Sequence, residues 1–325
     1  MTPRPPVALT CGEPAGIGPE TSVQAWQELG SSVPFFWIGD IGHLPHGTKV
    51  VTISDPSETH DALAHGLPVL HQAFPNPTTP GTADPANARG VIDAIQTACQ
   101  LVTSGHASAL CTAPIHKKAL KDGANFAFPG HTEFLAHIAG VKKVVMMLAS
   151  DALRVVPTTI HIPLAKVAKQ LTPDLLEATI RITHASLITD FGIAQPRIAI
   201  AGLNPHAGEG GIMGREEITV ITPVLDSLRA QGMNLLGPLS ADTMFHAAAR
   251  KSYDAAIAMY HDQALIPIKT LAFDQGVNVT LGLPFVRTSP DHGTAFDIAG
   301  QGVANPSSLI AALKMAHEMA GKRTP

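Results

Sequence analysis

The chain has 325 residues, of which 45% are hydrophobic and 15% charged, enough apolar material for one large or two moderate domains. Its formal net charge of −4 argues against a general attraction to nucleic acid or anionic membranes, so any phosphate site must be built locally. The sequence has no apolar stretch of about 18 residues that could span a bilayer, and residues 1–6 lack the apolar run of a signal peptide, so we expect a cytoplasmic protein.

Short β-branched runs alternate with longer helical patterns along the chain. Eight runs are typical of buried strands: Val7–Thr10, Phe35–Ile38, Ala109–Cys111, Val144–Leu148, Val155–Ile160, Arg197–Leu203, Ala255–Tyr260 and Val277–Leu281. Five segments are typical of helices: Pro85–Val102, Pro173–Thr189, Arg215–Ala230, Asp242–Lys251 and Pro306–Gly321. This alternation predicts an α/β fold with a largely parallel sheet. No composition break marks a boundary, so we expect one unit, residues 1–325, made of two interwoven subdomains.

Three cysteines, Cys11, Cys99 and Cys111, are widely spaced and form no C-x-x-C pair. This spacing argues against a cysteine metal site. We expect reduced, packed thiols, as is usual in the cytosol.

Three histidines follow predicted strands directly. They are His161, after the run that ends at Ile160, His206, after Asn204-Pro205, and His261, after Tyr260. In open α/β sheets ligands bind at the carboxyl ends of strands, so the three imidazoles could converge there on a divalent metal. The ordinary alternative is that each is a hydrogen-bonded loop residue, and no short-spaced ligand pair decides between the two.

Glycine-rich turns offer weaker signals. His131 and Thr132 open an apolar helix after Gly130, where free N–H groups suit a phosphate or carboxylate, although an ordinary helix cap explains the pattern equally well. Residues 208–214 have the spacing G-x-G-x-x-x-G, a poor match to a dinucleotide loop, and a loop over the metal site is the better interpretation. Residues 12–20 lack the Gly-Lys-Ser/Thr of a P-loop.

Residues 261–300 are the segment densest in charged and amide side chains. Lys269 and Arg287 flank the predicted strand that carries Asn278, and two cations with an amide would suit an anion. Surface salt bridges are the alternative.

Nine segments in order resemble the 4-hydroxythreonine-4-phosphate dehydrogenase family of pyridoxal phosphate biosynthesis. They are GEPAGIGPE (12–20), TAPIHK (112–117), GHTEFLA (130–136), HIPL (161–164), GLNPHAGEGG (202–211), GPLSADTMF (237–245), MYHDQ (259–263), NVTLGLPFVRTSPDHGTAFDIAG (278–300) and the C-terminal helix. The resemblance implies an isocitrate/isopropylmalate dehydrogenase-like α/β fold with a mostly parallel sheet and the active site in the cleft between two subdomains. It also implies a homodimer with the active site at the subunit interface, and binding of NAD, with NADP as an alternative, without a G-x-G-x-x-G loop.

Site residues are carried over from the family position by position. The resemblance implies a divalent metal, Zn, Mg or Co, on His161, His206 and His261, with one ligand coming from the partner subunit. It implies substrate contacts at His131, Thr132, Lys269, Asn278 and Arg287; proton transfer at Lys269 or Asp242; and cofactor contacts at Asp291, His292, Gly293 and Asp297.

The implied reaction is oxidation of the C3 hydroxyl of 4-phosphooxy-L-threonine by NAD, followed by loss of CO2 to give 3-amino-2-oxopropyl phosphate. A divalent metal would lower the pKa of the hydroxyl and stabilise the enolate charge. Three alternatives stay open: a sibling dehydrogenase acting on 4-phospho-D-threonate or 4-phospho-D-erythronate, a metal-dependent hydrolase, and a non-catalytic metal-binding protein.

Overall fold

The computed structural model describes residues 4–323, so the first three residues of the segment considered for a signal peptide lie outside the described part. The chain divides into two compact units. Unit 1 is Met1–Lys142 with Leu283–Pro325, and unit 2 is Lys143–Gly282. Unit 1 is therefore made from two separate stretches of chain, and unit 2 from the stretch between them. No helix in residues 4–323 is both long enough and apolar enough to cross a membrane.

Strands and helices alternate throughout the described chain. The strands are β1 Val7–Thr10, β2 Phe35–Gly39, β3 Val50–Ile53, β4 Leu67–His71, β5 Ala109–Thr112, β6 Val145–Ala149, β7 Arg154–Pro157, β8 Arg197–Ala201, β9 Asn234–Leu239, β10 Ala255–Ala258, β11 Val277–Leu281 and β12 Arg287–Pro290. The α-helices are α1 Gly18–Leu29, α2 Thr59–Ala62, α3 Ala88–Thr103, α4 Lys117–Ala124, α5 His131–Ile138, α6 Val167–Gln170, α7 Pro173–Thr189, α8 Thr222–Arg229, α9 His261–Ala272 and α10 Ser307–Arg323. The predicted α/β class is confirmed.

Unit 1 contains strands in the order β3-β4-β2-β1-β5-β12, and every neighbouring pair is parallel. The sheet core is apolar: Phe35, Phe36 and Trp37 on β2 are fully buried. Helices α3 and α10 pack on the sheet, against β1 and β12 respectively. Burial on both faces explains why the central strands of this unit are continuous apolar runs.

Unit 2 contains strands in the order β11-β6-β7-β10-β8-β9. The pairs β7-β10, β10-β8 and β8-β9 are parallel, whereas β11-β6 and β6-β7 are antiparallel. Helix α9 contacts β7 and β10, and α7 contacts β11 and β6. The carboxyl ends of four neighbouring parallel strands therefore lie along one edge of this sheet.

Two of the predicted helices differ from the structure. The segment Asp242–Lys251 is not an α-helix: it holds two short 3₁₀ turns, Ala241–Thr243 and Ala249–Ser252. The carbonyl of Met244 accepts a hydrogen bond from the Tyr253 hydroxyl at 2.7 Å instead of from a helical N–H. The predicted helix Arg215–Ala230 begins with a π-turn, because Pro223 at the start of α8 has no N–H to donate.

Four strands were not predicted: β3, β4, β9 and β12. The most instructive is β12, since Arg287-Thr288-Ser289-Pro290 reads as a polar loop although all four residues are buried. Each of the eight predicted strands is present. Cys11, Cys99 and Cys111 are buried free thiols, as predicted, and burial raises the pKa of each to about 12.

Candidate active site

Three segments of unit 2 that follow neighbouring parallel strands carry the predicted metal ligands: two are loops, and the third is the start of α9, whose first residue is His261. His161 comes after β7, His261 directly after β10 and His206 after β8, and β10 lies between the other two strands. Hydrogen bonds join the strand ends: Thr158 N donates to the Ala258 carbonyl at 2.8 Å, and Gln263 Nε2 to the Gly202 carbonyl at 2.8 Å. Strand order thus brings all three histidines to one edge of the sheet.

The imidazoles of His161 and His261 are neighbours, with ring centroids 5.6 Å apart. His261 Nδ1 donates a hydrogen bond to the Asp262 carboxylate at 2.7 Å. This bond fixes the tautomer and leaves Nε2 of His261 as the nitrogen with a free lone pair. The two rings also line a pocket of about 260 Å³ together with Leu164 and Tyr260.

The backbone of this edge is strained at two of the three histidines. His161 has φ 52° and His206 φ 53°, in the left-handed region that non-glycine residues rarely adopt, and the strain continues through Glu209. Strained conformations of this kind cluster at functional sites. Nevertheless, within residues 4–323 no three His, Cys, Asp or Glu side chains form a group that could hold a metal ion. Of the three predicted ligands, the structure places the rings of His161 and His261 side by side, and no third group joins them among the described residues.

Asp242 lies on the next loop of the same edge, after β9. A hydrogen bond from the Ser240 hydroxyl lowers the pKa of Asp242, and the nearby His206 lowers it further. Lys269 is on α9, where its ammonium lies 5.3 Å from the centre of the Phe273 ring. Asn278 is on β11, and its buried Oδ1 has no hydrogen-bond partner among the described residues.

Arg287 is the central cation of unit 1. It begins β12 beside β5, is 3% exposed, and donates from Nη2 to the Thr112 hydroxyl at 2.6 Å. Burial lowers its pKa to about 10, so the guanidinium stays charged at neutral pH. A buried cation of this kind suits an incoming anion, because its desolvation cost is already met by the fold.

His131 and Lys117 lie near Arg287, and Lys117 adds a second cation there. Burial, then Arg287 and Lys117, hold the pKa of His131 well below its usual value, so the ring is neutral, and its buried Nε2 has no partner among residues 4–323. Gly130 caps α5 without a side-chain hydrogen bond, and because glycine is itself a common N-cap residue, the alternative of an ordinary helix cap stays open. The free N–H groups of the first turn, including that of Thr132, can receive an anion.

The predicted cofactor segment follows β12 in unit 1. The N–H of Asp291 donates to the Ser308 hydroxyl at 3.0 Å, and Ile17 N donates to the Thr294 carbonyl at 3.0 Å. His292 Nδ1 lies 2.9 Å from the Gly293 carbonyl and so carries the ring proton, leaving Nε2 a buried acceptor with no described partner. Gly293 and Asp297 are exposed. A buried acceptor such as Nε2 of His292 could receive a hydrogen bond from a polar ligand, for example a dinucleotide.

Sequence analysis missed three contributors: Thr112, Lys117 and Asp262. Two of them carried a visible signal, since Thr112 and Lys117 lie in the segment TAPIHK, which directly follows a predicted strand as the histidines do. The role of Asp262 depends on the direction of the His261 ring, which no sequence pattern specifies.

Comparisons with known proteins agree along the whole chain. A family model described as pyridoxal phosphate biosynthetic protein PdxA matches residues 36–316. The 4-hydroxythreonine-4-phosphate dehydrogenase of Roseobacter denitrificans is 64% identical over 318 residues, covering 98% of each chain. That of a Ruegeria species is 63% identical over 326 residues, covering 100% of both. A crystal structure of the Klebsiella pneumoniae enzyme of the same name has a TM-score of 0.87 at 35% identity, covering 97% of this chain and 99% of its own.

Proposed function

The chain belongs to the PdxA family of pyridoxal phosphate biosynthetic proteins, and we propose that it is an NAD-dependent, metal-dependent 4-hydroxythreonine-4-phosphate dehydrogenase. Its reaction is oxidation of 4-phosphooxy-L-threonine at C3 to 2-amino-3-oxo-4-phosphooxybutanoate, which loses CO2 to give 3-amino-2-oxopropyl phosphate. The observation that carries the proposal is the match to named relatives over the full chain length, at identities of 63–64%.

The metal would be held by His161, His206 and His261, with one ligand supplied by the partner subunit. The donor chemistry fits, because neutral imidazoles bind Zn and Co well, and Asp262 keeps Nε2 of His261 available. When bound, the cation supplies Lewis acidity at the substrate hydroxyl and NAD supplies the hydride acceptor. The strained backbone at His161 and His206 supports a functional use of this edge.

The substrate's anionic groups would be bound by Arg287, His131 and the N-terminal turn of α5 at Thr132, with Lys269 and Asn278 as further contacts. Arg287 is buried and charged, so a phosphate or carboxylate gains a strong charge-assisted bond there. Neutral His131 can donate a hydrogen bond to the substrate or accept one from it without changing the net charge of the site. Asp242, kept ionised by Ser240, can accept a proton, and Lys269 is the alternative group.

A homodimer is the proposed assembly. Among residues 4–323, eight of the nine exposed large hydrophobic side chains belong to unit 2, including Ile212 at 82%, Phe273 at 71% and Ile266 at 64% exposure. Exposed apolar surface of this extent favours a protein partner. Sedimentation at micromolar concentration should give a dimer, and the double variant Ile266→Ser, Phe273→Ser should shift it towards monomer, whereas a wild-type monomer would contradict the proposed assembly.

The test of the reaction is an NADH absorbance assay with purified protein and added divalent metal. Production of NADH from 4-phosphooxy-L-threonine, and its loss on chelation with recovery on metal addition, is the expected result. Turnover of 4-phospho-D-erythronate or 4-phospho-D-threonate alone would identify the sibling dehydrogenase instead. Turnover without NAD would indicate a hydrolase. A protein that binds metal but turns over none of the three substrates would contradict the proposed dehydrogenase and its alternatives.

A further inference from the structure

A pocket in unit 1 lies beside the proposed cofactor segment and has no role in the reaction described above. Its volume is about 510 Å³. Its walls come from the loop before α1, from α1 itself, from the turn after β2, and from the glycines that follow the cofactor segment; Gly16, Glu20, His43, Leu44 and Gly300 represent these four elements.

This pocket and the cofactor segment are packed together as one structure. A Cβ placed on Gly16 would lie 2.8 Å from the Thr294 carbonyl oxygen, and one on Gly81 would lie 2.9 Å from that of Phe296. A Cβ on Gly300 would lie 2.7 Å from Pro80, which itself lines the pocket. Contacts this close allow no side chain, so the glycines fix the pocket against residues 291–300.

Three buried side-chain atoms of the residues that line the pocket have no hydrogen-bond partner among the described residues, and all three are hydrogen-bond acceptors. Glu20 is 8% exposed, and its Oε1 has no partner among the described residues; the same holds for Oε1 of Gln24. His43 is 7% exposed, and its Nε2 lies 3.0 Å from the Asn76 carbonyl and therefore carries the proton. Its buried Nδ1, again without a partner in residues 4–323, is then an acceptor as well. None of the described residues that line the pocket is Lys or Arg.

We propose that this pocket holds the adenosine half of the dinucleotide and that Glu20 selects NAD over NADP. The inference rests on the proposed dehydrogenase function. The ribose hydroxyls and the adenine amino group are the donors that the waiting acceptors require, and Val23 and Leu44 offer the adenine an apolar wall. The 2′-phosphate of NADP brings about −1.5 to −2 charges and no strong donor, and it would meet a carboxylate with no neighbouring Lys or Arg.

The test is equilibrium binding of NADH and NADPH to the metal-loaded protein, followed by nucleotide fluorescence and independent of turnover. Wild type should bind NADH at least about 10-fold more tightly than NADPH, because one hydrogen bond to a charged group contributes about this factor to affinity. Glu20→Gln should reduce this ratio by about 10-fold, while Glu28→Gln, at an exposed position of the same helix, should leave it unchanged. An unchanged ratio in Glu20→Gln, or tighter NADPH binding by wild type, overturns the assignment of Glu20.

A measurement on wild type alone covers the case in which Glu20→Gln fails to fold. NAD⁺ that lacks the ribose 2′-hydroxyl of its adenosine should compete with NADH about 10-fold less well than NAD⁺ itself, because the hydroxyl is the proposed donor to Glu20. Equal competition contradicts the proposal even though dehydrogenase activity persists. Failure of wild type to bind either dinucleotide would instead contradict the proposed function as a whole.

Discussion

The two units present their functional groups to solvent in opposite ways. In unit 1, whose strand pairs are all parallel, Arg287 is 3% exposed, and Nε2 of His131 is buried. In unit 2, His161, His206 and Asp242 are exposed. Exposed apolar side chains lie a few residues after the two histidines, at Leu164 and Ile212.

This difference in burial indicates that the proposed substrate site and the proposed metal site form in different ways. The proposed anion-binding groups of unit 1, Arg287 and Nε2 of His131, are already buried by the fold of one chain, so little reorganisation would be needed for a ligand to bind. The proposed metal ligands of unit 2 form no group of three among the described residues, and under the proposed function a bound cation and a residue of the partner subunit would complete the site. Substitutions in unit 2 should therefore affect metal binding, and those in unit 1 substrate binding.

The largest effect is expected for His261→Ala. Loss of a ligand removes the Lewis acid, which supplies several kcal/mol, so kcat/KM should fall by about 10³-fold or more. Equilibrium dialysis with Zn or Co should show the matching loss of metal binding, while exposed His246→Ala in the same unit should retain both. Normal metal content in His261→Ala would remove this residue from the proposed ligand set.

Arg287→Met tests the proposed anion site of unit 1. The KM for the phosphorylated substrate should rise by about 100-fold, since a charge-assisted bond to an anion is lost. The free energy of unfolding should be unchanged or higher, because replacing a buried charge by an apolar side chain is often neutral or stabilising. Steady-state kinetics and urea unfolding measure the two quantities, with exposed Arg89→Met as the control. An unchanged KM would show that Arg287 serves the fold only.

Asp262→Asn sharpens the account of unit 2, because the Asp262 carboxylate accepts the hydrogen bond from Nδ1 of His261. Loss of the carboxylate that orients the ring should weaken metal binding by about 10-fold, whereas exposed Asp274→Asn should not. Metal titration at fixed pH measures this directly. Activity should recover at saturating metal, an outcome that a general structural defect would not give.

The fold and the histidine edge were accessible from sequence for a shared physical reason. Buried parallel strands are continuous apolar runs, and a histidine directly after such a run, as at His161 and His261, must lie at a carboxyl end. Strand β12 was missed because its polar residues are buried through specific partners, such as Thr112 for Arg287, and a partner distant in the chain leaves no local pattern. The sequence also predicted one anion site from Lys269 and Arg287. These two cations lie on different units, Lys269 on unit 2 and Arg287 on unit 1, so that prediction stays untested.

The smallest expected effect concerns the pH dependence of stability and tests whether unit 1 keeps His131 neutral. Its folded-state pKa lies well below the unfolded value of about 6.5, so the unfolded chain binds more protons as pH falls below about 6.5. Stability from this group is therefore complete above that pH and is lost on acidification, with a slope of up to about 1.4 kcal/mol per pH unit. His131→Asn should reduce the slope of unfolding free energy against pH between about pH 5 and 6.5, and His137→Asn, on the exposed side of α5, should not. Urea unfolding across this range measures both slopes. Identical slopes for wild type and His131→Asn would mean that burial, together with Arg287 and Lys117, does not lower the pKa of this ring.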